Sequence, residues 1–280
     1  MKNRTVLNAS ALLLAVALAL PSALIRRALS KGSALLEQPA GDFIPLYIAV
    51  GVAVLLLCAV SALILRREQT LPEEAEEAPL PGWYKAARAL AALAFLAAAY
   101  FTLTGTTDVS RAVMLVQTVF LAVCGAAAVL GAAGGRSAEQ TRFAGLFPLY
   151  YICFFLLIFY RGNANNPTLH SFALEIITLL SVMLATYLTV GMRFERHKPF
   201  VRVFFVLLSL YFAAFELLSF ALVHDSLAVI PSVSAGMMLT LAALFMLLAA
   251  DFVRVPRTPA AESAAEEESA AEDGETEGDA

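Results

Sequence analysis

Two acidic residues, Glu175 and Glu216, each interrupt an apolar run long enough to cross a bilayer. A carboxylate in hydrocarbon costs about 2.5–3.5 kcal/mol even on insertion scales, so each must face protein or water and find a partner. A buried acid of this kind can exchange a proton, contact a ligand or fix helices through an ion pair. Arg161, His170 and His224 are the candidate partners, because they lie at the same ends of these runs. Ser171, Glu175 and Thr178 recur at helical spacing, as do Ser209, Ala213 and Glu216, which predicts that both acids sit on interior faces. The candidate ligand- or proton-binding set is therefore Glu175, Glu216, Arg161, His170, Thr178 and His224.

The stretch RGNANNPTLHSFALE, from Arg161 to Glu175, places the first acid. Asn163, Asn165 and Asn166 favour a turn, and Pro167 restricts the chain just before a helix beginning near Thr168. Glu175 then lies about 10 Å down that helix at the standard rise, and Glu216 lies at nearly the same depth in the next one. Consecutive antiparallel helices commonly pack together, so the two carboxylates are expected to face each other. The expectation is an outward-facing polar pocket between the fifth, sixth and seventh spans. The plainer alternative is a buried ion pair or hydrogen bond that only fixes those helices. Seven aromatic residues between Phe147 and Tyr160 give the fifth span a wall that packs against helices or lipid; beside a polar pocket it would suit a small amphiphilic or cationic ligand.

The elements that hold these residues are membrane helices. The chain is 60% hydrophobic and 15% charged over 280 residues, too few polar groups to cover a soluble surface. The fold class expected is all-α, a polytopic transmembrane helical bundle. Eight spans are predicted, over about 5–25, 43–65, 84–103, 111–133, 144–160, 168–192, 199–223 and 232–253. The first could instead be a cleaved signal, leaving seven, because it has a basic start and the small residues Ser22 and Ala23 near its end. Residues 26–42 are predicted as a loop carrying Arg26, Arg27 and Lys31. Trp83 and Tyr84 suit an interfacial aromatic belt, and Ala127, Gly131 and Gly135 place small residues on one face of the fourth span for close packing.

Residues 1–254 form one membrane domain. Residues 255–280 hold nine acids, one Arg and no aromatic residue, a composition that predicts a disordered cytoplasmic tail. With eight spans, 14 Lys and Arg fall on one side and five on the other, which predicts both termini in the cytoplasm of a cell with the protein in its plasma membrane. Three of those five lie in the first loop, the weakest point of the assignment.

No catalytic motif or metal-ligand spacing stands out, Cys58, Cys124 and Cys153 share no CxxC, and the halves show no internal repeat. Neither an enzyme, nor a cofactor, nor a metal, nor nucleic acid is expected. The expected partners are the lipid bilayer, a small-molecule solute and a membrane or cytoplasmic protein. The leading functional expectation is transport or membrane-embedded binding of a small solute; the alternative is a non-catalytic sensor or accessory subunit.

Overall fold

The computed structural model describes residues 2–30, 43–68, 81–104, 110–133, 143–163, 169–192, 199–223 and 235–254. These form eight helices: α1 (Lys2–Ser30), α2 (Ile44–Glu68), α3 (Gly82–Thr104), α4 (Arg111–Ala133), α5 (Leu146–Asn163), α6 (Leu169–Met192), α7 (Pro199–Val223) and α8 (Ala235–Val253). Seven are long and apolar enough to cross a membrane; α5 is shorter, at 18 residues. The all-helical, multi-pass class read from composition is the observed one. The predicted tail and most of the Asn-rich turn lie outside the described residues.

Successive helices alternate in direction, so both ends of the described chain meet at one end of the bundle. Asn8 Nδ2, in the second turn of α1, donates to the carbonyl of Phe252 in α8 at 3.0 Å. This end is called the termini end below. Two groups of helices share the core: α1, α2, α6 and α7 on one side, and α3, α4 and α8 on the other. Helix α7 joins them by packing against both α1 and α8, and it is the most deeply buried span. Helix α5 closes the ring between α4 and α6.

Small residues make the tightest crossings. Ala11, Ala15, Ala19 and Ala23 repeat every four residues on α1 and are almost wholly buried, so the α1 and α7 backbones can approach closely. On α4, a Cβ at Gly125 would meet the carbonyl of Ala92 at 3.3 Å. Outward faces carry Leu, Val, Ile and aromatic residues such as Leu55, Leu93, Leu157 and Tyr187, the surface that lipid covers.

The structure corrects one boundary and one side-chain placement. Helix α1 continues through Pro21 to Ser30, so Arg26 is helical rather than part of a loop. A single proline removes one backbone hydrogen bond, which a membrane helix tolerates when neighbours pack against it. Tyr84 is 1% exposed and turned into the bundle, while Trp83 alone stays outward at 45%.

Candidate functional site

Helices α1, α6 and α7 bring three charged side chains together near the end opposite the termini. Arg26 lies four residues before the end of α1, Glu175 six residues into α6 and Glu216 seven residues before the end of α7. At the helical rise this places all three about 6–10 Å from their helix ends. Arg26 Nη2 donates to Glu175 Oε1 at 2.6 Å, and Nη1 donates to Glu216 Oε2 at 2.8 Å. All three side chains are buried, and the Arg26 guanidinium lies 5.4 Å above the Phe215 ring. One turn deeper on α1, the Ser22 and Tyr211 hydroxyls are 2.8 Å apart.

The level depth inferred for the two acids is observed, but their partner is Arg26. Arg161 is exposed at the end of α5. His170 lies in the first turn of α6, with its side chain outside the described residues, as is the whole of His224. Thr178 is buried on the same face as Glu175, yet its hydroxyl donates to the Leu174 carbonyl at 2.8 Å. Arg26 of α1, which the sequence places in a loop, stands between the two acids and ties α1 to both. One guanidinium serves two carboxylates, and Glu175 Oε2 and Glu216 Oε1 are buried without a hydrogen-bond partner.

A second charged cluster sits at the termini end, on the other helix group. Arg88 of α3 bonds Asp251 of α8 through Nη2, at 2.9 Å to Oδ1 and 3.2 Å to Oδ2. The Tyr84 hydroxyl donates to the same Oδ1 at 2.8 Å. The guanidinium groups of Arg88 and Arg254 lie 4.9 and 5.0 Å from the Tyr84 ring centre. Stacking on an aromatic face is a characteristic arginine geometry; the carboxylate contact here runs through one nitrogen, Nη2, to both oxygens.

Beside this cluster runs a small cleft of about 50 Å³, partly open to the outside. It follows the seam between α3, α4 and α8 and the pair α5 and α6. Its wall is mainly Ala, Gly, Val, Leu and Pro, with Arg88, Asp251, Thr186 and Thr189 as the polar groups. Thr186 donates to the Val182 carbonyl at 2.7 Å, whereas the Thr189 hydroxyl and Arg88 Nε are buried without partners. Gly131, expected only to allow close helix packing, instead makes room for the Arg88 guanidinium.

Sequence reasoning missed Arg26, Arg88 and Asp251. A signal was present in each helix. Arg26 continues the interval of Ala11, Ala15, Ala19 and Ser22, the face that packs inward. Arg88 falls between Tyr84 and Ala92 at steps of four, and Asp251 extends the buried line of Leu244 and Leu248. A charge on a buried stripe implies a buried counter-charge.

The aromatic wall of α5 divides as its plainer reading expects. Tyr151 and Phe159 are buried and joined through Phe155 by ring contacts, while Phe147, Tyr150 and Tyr160 face outward. In sequence and in fold, the chain matches no protein-family model, no curated protein and no solved structure.

Proposed function

We propose that the protein binds a small amphiphilic solute within the membrane and passes it across, holding it in the cleft at the termini end. The observation that carries this reading is the lining of the cleft, an apolar wall with a few converging polar groups, the usual make-up of a small-molecule site; at about 50 Å³ the cleft has to widen along the seam to admit a solute. Its position on the seam between two helix groups supports movement of one group against the other. The Arg26 ion pairs hold α1, α6 and α7 together within one group and the Arg88–Asp251 pair holds α3 to α8 within the other, which suits each group to move as a unit. Orientation follows the excess of Lys and Arg at the termini end, which favours that end in the cytoplasm and the cleft facing inward. Arg26 does not weaken this reading, because an arginine neutralised inside the bundle is not a free loop charge.

Uptake of small amphiphilic solutes into proteoliposomes is the deciding measurement. Ala128→Phe places a ring in the cleft and should abolish uptake of any solute the native protein handles. Leu55→Phe, on the lipid-facing side of α2, should leave uptake unchanged. A solute carried equally well by Ala128→Phe overturns the reading.

A further inference from the structure

We propose that the Arg26–Glu175–Glu216 cluster is a binding site for one monovalent cation, a proton or a sodium ion, separate from the solute cleft. Three observations carry this. First, two carboxylates share one guanidinium, so the fully ionised cluster holds one uncompensated negative charge in a region that lipid and protein shield from water. A buried charge without a counter-charge is costly, and a single cation removes it.

Second, each carboxylate spends one oxygen on Arg26 and leaves the other without a partner. Glu175 Oε2 and Glu216 Oε1 are buried on side chains that are 1% and 3% exposed. Because the two bonded oxygens are held by the two terminal nitrogens of one guanidinium, the carboxylates are neighbours. The free oxygens are hard, anionic donors, the ligand type that a proton or an alkali cation takes.

Third, among the described residues no charged side chain other than Arg26 is bonded to either carboxylate. From α1, Arg27 is exposed. From α7, Tyr211 faces Ser22 one turn deeper. From α2, Tyr47 near this end is 40% exposed. Arg161 of α5 is exposed, and the charged residue of α8, Asp251, is at the opposite end and paired with Arg88. His170 lies five residues nearer the helix end on α6. The cluster sits about 10 Å or less from that end, a short path for a small ion.

The site is tested on the purified full chain in lipid nanodiscs, with two readouts. Thermal unfolding is compared in sodium chloride, potassium chloride and choline chloride at equal ionic strength; infrared difference spectra are recorded across a pH series for the carbonyl stretch of a protonated carboxyl. A sodium-specific rise of several degrees, lost in Glu216→Gln, assigns the cation as sodium. No sodium effect together with a protonated-carboxyl band, lost in Glu216→Gln or Glu175→Gln, assigns it as a proton. Native protein with neither the sodium effect nor the band overturns the proposal, whether or not the variants fold. The same result follows if both signals persist unchanged in two folded Gln variants.

Discussion

Gly131 of α4 lies flat against the Arg88 guanidinium of α3: a Cβ there would be 2.8 Å from Cζ and would overlap Nη1. The absence of a side chain at Gly131 is therefore what lets Arg88 reach Asp251. Gly131→Ala should displace the guanidinium and cost about 1–3 kcal/mol, the usual range for overpacking. Gly125→Ala should cost less, since its Cβ meets the Ala92 carbonyl at 3.3 Å, and Gly51→Ala, helical with nothing within 4 Å, should stabilise by up to about 1 kcal/mol. Thermal unfolding of the three variants in one detergent or nanodisc gives the order.

The Arg26 cluster should respond asymmetrically to substitution. Arg26→Met strands two buried carboxylates and should cost about 3–5 kcal/mol or prevent folding. Glu175→Gln or Glu216→Gln leaves a one-to-one ion pair and should cost much less. Unfolding midpoints for the single and double variants measure this. Equal losses for Arg26→Met and the Gln variants would contradict the shared-guanidinium arrangement.

Two threonines on the cleft wall should behave oppositely. Thr189→Val removes a buried hydroxyl with no partner and should be neutral or stabilising, by up to about 1–3 kcal/mol. Thr186→Val removes the bond to the Val182 carbonyl and should destabilise by about 0.5–1.5 kcal/mol. The pair is compared by chemical or thermal unfolding in the same lipid.

Access to the two ends should differ. In a cysteine-free background, Gly145→Cys on the cleft should react with a membrane-impermeant maleimide added from the termini side. Ala213→Cys, buried beside Glu216, should not react from either side. Labelling of both positions from opposite sides at once would indicate a continuous pore.

The helices were legible in the sequence because lipid demands long apolar runs with few interruptions, and every observed span overlaps a predicted one. The depth of Glu175 and Glu216 was legible too, since it follows from rise per residue. Their partner was not. Arg26 lies at the end of the first apolar run, where a charge reads as the start of a loop; only the packing of α1 against α7 brings it to the acids, across 149 and 190 positions of chain. Tyr84 was hidden for a related reason: beside Trp83 it reads as an interfacial anchor, and helical geometry alone turns one outward and the other inward.

Helix α5 has one consequence beyond its place in the ring. Its apolar segment, Leu146–Arg161, covers about 24 Å at the helical rise, against a hydrocarbon layer of about 30 Å. Its neighbours α4 and α6, of 23 and 24 residues, span the full layer, so the bilayer must thin beside α5 or its polar ends must be drawn inward. The residues that lead into it, Ala144 and Gly145, form part of the cleft rim. The shape of that rim is thus tied to acyl-chain length, and lipids with shorter tails should relieve the mismatch, making membrane thickness a variable to which this protein is expected to respond.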